Sequence, residues 1–337
     1  MTDHRKTVDD VLSRLERGDR DRISIAKEIS IERVPTPSIG LTEALGGGWA
    51  MGREVILWGP KSAGKTTFCL EQIAILQKQG KVCAFLDAEG TYDPQWAERL
   101  GVDNNELIHV DSKSMNHMVD KTVKLMGAGI DVIIVDSITA LVPAAYLEKD
   151  GNELKSMVDM GAMGAHARDM SKALQAIVYA NTNTLVLLIS QQRMKSMGMY
   201  WGAGPTGGMA AMHYASQIVK LYSSEGQSNS IDGKVHYGDR IVNKQVGRKV
   251  TYEVEFNKLG PQGGSGSYDL YFDGDSVGID RISEVFDVAL PVGIIEKAGG
   301  WFKFEGNIIG QGRTNAIQYF KDNEEDFRKV VELIGFG

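Results

Sequence analysis

The 337-residue chain has a formal net charge of −7, with 42% hydrophobic and 24% charged residues, a globular balance with room for one full α/β core and small additions. No apolar run approaches the roughly 18 residues that a membrane span needs, and Met1 to Asp10 carries no secretory signature, so a soluble, cytoplasmic protein with no membrane partner is expected. Cys69 and Cys83 lie in apolar stretches and read as buried thiols in a reducing compartment, and no Cys/His cluster has zinc spacing. Net charge speaks of solubility, so a nucleic-acid partner has to be sought in local basic patches.

Val8, Val11, Leu12 and Leu15 repeat at i, i+3, i+4, i+7 and predict a short amphipathic helix. It packs either on its own domain or, as we prefer, on a neighbouring subunit. Pro35 and Pro37 interrupt the pattern, so residues 1–35 are read as an oligomerisation helix and linker. Beyond them, short apolar runs alternate with helical patterns: Val55 to Trp58, Val82 to Leu86, Ile108 to Val110, Val132 to Val135 and Leu185 to Ile189. Runs this apolar and β-branched suit parallel strands buried on both faces, in a doubly wound α/β sheet. Val250 to Phe256 and Tyr268 to Phe272 flank a Gly-rich turn and read as antiparallel edge strands. Residues 36–276 are therefore one core, and 277–337, with short helices around Trp301, a small C-terminal domain.

Gly59-Pro60-Lys61-Ser62-Ala63-Gly64-Lys65-Thr66 fits G-x-x-x-x-G-K-[ST] between a strand and a helix that begins near Thr67. Glycines let the backbone wrap an anion, and the helix N-terminus adds positive potential. Lys65 is expected to meet the β- and γ-phosphates of ATP, and Thr66 to place its hydroxyl on Mg²⁺ with Asp136 as acidic partner. The fold class is thus an α/β P-loop NTPase core. Hydrolysis also needs a carboxylate at a neighbouring strand end, and Glu89, after Phe85-Leu86-Asp87-Ala88, is the candidate. Asp93 and Trp96 offer a hydrogen-bond partner and a flat face for adenine.

These stretches, with Gln191-Gln192-Arg193-Met194-Lys195, Ile295 to Trp301 and Ile309-Gly310-Gln311-Gly312, resemble the RecA family of recombinases in order and spacing, as a bacterial or phage-encoded homologue would. The resemblance implies that Glu89 activates the attacking water, that Asp93 and Trp96 hold adenine, and that Gln191 senses the γ-phosphate. It further implies filaments on single-stranded DNA, pairing with a homologous duplex, self-association, and loading or mediator proteins.

Two segments look too long and too polar or glycine-rich for connectors. The first, Leu147 to Gly164, carries Lys149, Lys155, Met163 and Gly164, then Arg168. The second, Arg193 to Gly208, carries Lys195, Met197, Met199, Tyr200, Gly207 and Gly208. Basic residues neutralise phosphate while flat or flexible apolar ones support bases. The resemblance makes them the two DNA-binding loops and assigns duplex capture to Lys297 and Arg313. Arg240, Lys244, Arg248 and Lys249 form a further basic cluster for an incoming duplex. The family's K-N-K run, set against a neighbour's γ-phosphate, reads Phe256-Asn257-Lys258 here, which leaves only Lys258. The alternatives are a ring-forming helicase of the same superfamily and a DNA-coating protein that does not hydrolyse ATP.

Overall fold

Strands predicted from the apolar runs form the centre of a large mixed sheet. The computed structural model describes residue 26 and residues 29–143, 149–150, 153–154, 163–197, 200–206, 212–223, 229–237, 240–274 and 277–335. The expected N-terminal helix lies outside the described residues, as do Lys155, Met199, Gly207 and Gly208. For Lys149, Met163, Gly164, Lys195, Met197 and Tyr200 the backbone alone is described. The chain divides into two units, 1–32 and 33–337, and the second holds every element that follows.

In chain order, β1 (Arg33–Val34) pairs with β2 (Trp49–Ala50) around α1 (Ile39–Ala44). Then come β3 (Glu54–Gly59), α2 (Lys65–Lys78), β4 (Cys83–Asp87), α3 (Pro94–Arg99), β5 (Leu107–Asp111), α4 (Met115–Gly127) and β6 (Val132–Asp136). A two-stranded ribbon, β7 (Lys149–Asp150) and β8 (Glu153–Leu154), precedes α5 (Met163–Ala180). The strands β9 (Leu185–Met197), β10 (Tyr200–Pro205), β11 (Gln217–Tyr222), β12 (Ser230–Tyr237), β13 (Arg240–Asn257), β14 (Ser265–Tyr271) and β15 (Gly278–Ile279) follow.

Among the described residues the main sheet has eleven strands, and β11, β3, β9, β6, β4 and β5 run parallel in that order. β13, β14 and β15 extend it as an antiparallel edge. Side chains alternate across a strand. Val55 and Leu57 of β3 accordingly join one buried cluster with Phe68, Phe85 and Leu187, while Ile56 and Trp58 join the other with Leu86, Ile133 and Leu188. Burial on both faces explains why these strands read as unbroken apolar runs.

Two expectations are corrected. The second segment, read as a DNA-binding loop, is an antiparallel hairpin over its described residues: β9 runs on to Met197, and β10 pairs back on it, Arg193 opposite Gly204. Trp301 does not sit among short helices either. It starts the middle strand of a three-stranded antiparallel sheet, β16 (Ile295–Ala298), β17 (Trp301–Phe304) and β18 (Asn307–Gln311). That sheet packs with α6 (Arg281–Ala289), α7 (Arg313–Asp322) and α8 (Glu324–Ile334) around a third cluster that includes Phe286, Phe302, Phe304 and Phe320. A carboxylate joins this cluster to the core, because Glu284 accepts from the backbone amides of Ile39 (3.0 Å) and Gly40 (3.1 Å) and from the Ser38 hydroxyl.

Candidate active site

The loop from β3 to α2 builds the site because its glycines allow what other residues forbid. Gly64 caps α2 at φ 84°, in the left-handed region, and a Cβ there would lie 2.5 Å from Leu270 Cδ2. A Cβ on Gly59 would collide with the Leu221 carbonyl of the neighbouring strand. Lys65 Nζ donates to the carbonyls of Gly59 (3.1 Å) and Pro60 (2.7 Å), folding the side chain back over the loop. Burial holds its ammonium below the usual lysine range, against the pull of Asp136 and Glu89.

Thr66 Oγ1 donates to Asp136 Oδ2 at 2.6 Å, bringing the two expected metal residues together. Burial pushes the Asp136 carboxyl up to about 6, reinforced by the carboxylates of Glu89 and Asp87 and opposed by the Thr66 hydrogen bond. Glu89 Oε1 accepts from Ser137 Oγ (2.5 Å) and from Gln191 Nε2 (2.9 Å). Buried acids clustered beside a hydroxyl suit a hard divalent cation, so the donor set fits Mg²⁺.

Several contributors were not singled out from sequence. Asp87 accepts from the backbone amides of Glu89, Gly90, Thr91 and Tyr92 at 2.7 to 3.0 Å, which fixes the turn that aims Glu89. Asp87 ends β4, and a carboxylate before a Gly-containing turn was the available signal. Thr139 Oγ1 accepts from the Gln191 backbone N–H at 2.9 Å; the Thr206 hydroxyl, just after β10, contacts Thr139 Oγ1 (3.1 Å) and donates to the Gln191 backbone carbonyl (3.2 Å), and its backbone N–H donates to Ser190 Oγ (2.7 Å). A continuous polar path thus runs from Ser137 and Glu89 through Gln191 to both strands of the β9–β10 hairpin.

A cavity of about 330 Å³ opens over these groups, lined by Lys61 to Thr67, Glu89, Asp136, Gln191 and, from the antiparallel edge, Arg248, Leu270, Tyr271 and Phe272. That volume is in the usual range for small-ligand sites. Arg248 on β13, Tyr271 at the end of β14 and Phe272 just after it arrive from segments distant in sequence, and no local pattern marks them for the cavity. Asp93 and Trp96 do not line the cavity. Asp93 is exposed and caps α3 through the amides of Gln95 and Trp96, while Trp96 is half-buried with the Arg99 guanidinium 5.2 Å from its ring.

The family comparisons agree with this geometry. The RecA N-terminal domain family matches residues 6–260, and the RecA C-terminal domain family matches residues 283–334. The chain belongs to the RecA family. Proteins named RecA from Haemophilus ducreyi (39% identity, 93% of this chain and 80% of theirs), Mannheimia haemolytica (38%, 93% and 80%) and Brucella anthropi (36%, 97% and 88%) are similar over most of its length. As a RecA-family protein it is an ATP-using, DNA-dependent ATPase of DNA recombination and repair, which binds DNA and self-associates. The family assignment favours the recombinase over the helicase and the inert coating protein.

The remaining candidate residues of this RecA-family chain are scattered. Arg168 on α5 and Arg193 on β9 are exposed. Lys258 is exposed and donates to the His213 carbonyl (2.9 Å), 5.6 Å from the Phe256 ring. Lys297 is exposed on β16, 5.8 Å from the Phe302 ring. Arg313 grips Asp287 with Nε (3.0 Å) and Nη2 (2.8 Å), so its charge is already answered. The basic cluster of Arg240, Lys244, Arg248 and Lys249 is not one patch, since Lys244 pairs with Asp273 and Arg248 turns into the phosphate cavity.

Proposed function

We propose that the chain assembles as a helical filament on single-stranded DNA and drives homologous pairing and strand exchange, with ATP turnover at Glu89 controlling the hold of the β9–β10 hairpin on the strand. The observation that carries this reading is the path from Ser137 and Glu89 through Gln191 to Thr139 and Thr206, which ties a hydrolytic carboxylate to both strands of the hairpin. A change in what Glu89 contacts alters the Gln191 amide, and through it the base of the hairpin.

In this reading the loop of Gly59, Pro60, Lys61, Ser62, Ala63, Gly64, Lys65, Thr66 and Thr67 cradles the phosphates with its backbone N–H groups, Pro60 shaping the turn without donating, and the Lys65 ammonium leaves its two carbonyls for the β- and γ-oxygens. Thr66 and Asp136 would hold Mg²⁺, which supplies charge neutralisation at the phosphates. Glu89 orients the attacking water and draws its proton, and Gln191 reads whether the γ-phosphate is present. Asp93 and Trp96, which lie outside the cavity lining, receive the adenine, with Tyr271 at the cavity wall. Lys258 reaches the γ-phosphate of a neighbouring subunit.

DNA is contacted by Met163, Gly164 and Arg168 at the head of α5, by Arg193, Lys195, Met197 and Tyr200 on the hairpin strands, and by Met199, Gly207 and Gly208 of the same stretch of sequence. Lys297 receives the duplex more readily than Arg313, which must first release Asp287. Loading proteins act on the filament, and the protein works in the cytoplasm; no helix among the described residues is long and apolar enough to cross a membrane. The test compares wild type, Lys65→Ala and Glu89→Gln for DNA-stimulated phosphate release and for joint-molecule formation between a labelled single strand and a supercoiled duplex, with binding to the single strand followed alongside. The reading requires loss of both activities in Lys65→Ala, with turnover but not DNA binding lost in Glu89→Gln. Equal low turnover in wild type and Glu89→Gln would overturn it.

A further inference from the structure

The phosphate cavity holds a cation that the reading above leaves unused. Arg248 projects from β13, and its Nη1 donates to the Ser62 carbonyl at 3.0 Å. The flat guanidinium lies 5.3 Å from the centre of the Phe272 ring. Its Nε is buried and has no acceptor. Two restraints therefore fix the orientation of the group while one buried donor is left unsatisfied, a state that a nearby anion relieves.

The charges around the cavity show why such a group matters. Lys61 and Lys65 are matched by Glu89 and Asp136, so these four leave the lining with no net charge, and Arg248 makes it positive. Lys61 is exposed, and Lys65 is engaged with two backbone carbonyls. Arg248 is the lining cation held by an aromatic face, against a residue of the phosphate-wrapping loop itself.

We propose that Arg248 is a binding residue for the polyphosphate of the bound nucleoside triphosphate, delivered within the same chain by the antiparallel edge of the sheet. This rests on the nucleotide reading of the same cavity. A small turn of the guanidinium about its contact with Ser62 brings further N–H donors onto a phosphate oxygen, and because the group is already ordered on Phe272, little conformational freedom is lost. The same contact ties the β13–β14 edge to the phosphate loop when the triphosphate is present.

The full-length chain is tested by equilibrium displacement of a fluorescent ATP analogue, using ATP, inorganic tripolyphosphate and adenosine as competitors in magnesium buffer. Arg248→Gln is expected to weaken ATP and tripolyphosphate equally, on the order of 10-fold, and to leave adenosine unchanged. Arg248→Lys keeps the charge and is expected to stay within about 3-fold of wild type for tripolyphosphate, which also covers the case in which the glutamine variant fails to fold. Raising the salt concentration should weaken tripolyphosphate binding less in Arg248→Gln than in wild type, since one ionic contact is gone. Equal weakening of ATP and adenosine with tripolyphosphate unaffected would show that Arg248 serves the nucleoside instead and would overturn the proposal. Unchanged ATP affinity in folded Arg248→Gln, or a lysine variant as weak as the glutamine one, would overturn it too. Lys65→Ala separates the two claims: a wild-type protein that binds ATP no better than this variant removes the nucleotide reading itself.

Discussion

Glu284 joins the C-terminal cluster to the core, and replacing it with glutamine reads out the ionisation of a buried carboxyl. The side chain is 6% exposed and is surrounded by Ser38, the first amides of α1, Arg281, Glu71, Tyr252 and Tyr268. Burial raises its carboxyl from 4.5 to about 7, outweighing the hydrogen bonds from Ser38, Gly40 and Ile39 that favour the charged form. An acid whose folded value is raised contributes its full stability below about 4.5 and loses it as pH rises through about 7. The rise corresponds to about 3 kcal/mol lost by pH 8, on the order of 5 °C in melting temperature for a chain of this size. Glutamine mimics the neutral acid. Glu284→Gln should therefore melt close to wild type at pH 4 and increasingly above it as pH rises to 8, flattening the pH dependence measured by differential scanning calorimetry. A variant that matches wild type at pH 4 but melts several degrees lower at pH 8 would refute the reasoning, because the charged form would then be the stabilising one.

Gln191→Ala keeps the backbone bonds to Thr139 and Thr206 but removes one of two donors to Glu89, and with it the tie from Glu89 to the hairpin; steady-state phosphate release should lose about 10-fold of its stimulation by DNA while the DNA-free rate changes little. Thr66→Ala removes the 2.6 Å pair and Asp136→Asn removes its negative charge, and turnover measured against magnesium concentration should fall on the order of 100-fold in both. Gly64→Ala forces a Cβ into left-handed backbone against Leu270, so titration calorimetry should find ATP bound about 10-fold more weakly, with a melting temperature lowered by an amount matching about 1–2 kcal/mol. DNA affinity, followed by fluorescence anisotropy, should fall steeply and linearly with log salt concentration; a flat response would remove phosphate neutralisation from the account.

The phosphate loop, its strand and its helix were legible because they lie within one stretch of chain, where spacing and hydrophobic pattern suffice. Thr66 and Asp136 were paired as residues at a strand end and a helix start, and the structure brings them to 2.6 Å of each other. Glu89 and Gln191 were found as strand-end residues, and the bond between them follows from the parallel neighbours that carry them. What escaped is long-range. β11 is a sixth parallel strand whose mixed Gln217–Tyr222 pattern did not announce it. Arg248 and Tyr271 come to the cavity only once β13 and β14 close the edge of the sheet. The β9–β10 hairpin was hidden because its polar, glycine-rich residues lack the apolar alternation of a half-buried strand, and Trp301, 44% exposed, lies on a β-strand for which sequence offered no period. The basic cluster misled for a related reason: adjacency in sequence says nothing of whether Lys244 meets Asp273 or Arg248 meets Ser62.

The most direct test of the account is the affinity for single-stranded DNA measured with a poorly hydrolysed ATP analogue and again with ADP, in wild type and in Gln191→Ala. Nucleotide control through the Gln191 path predicts that wild type binds DNA at least 10-fold more tightly with the analogue than with ADP, and that Gln191→Ala binds equally with both. A variant that keeps the full wild-type difference would contradict it.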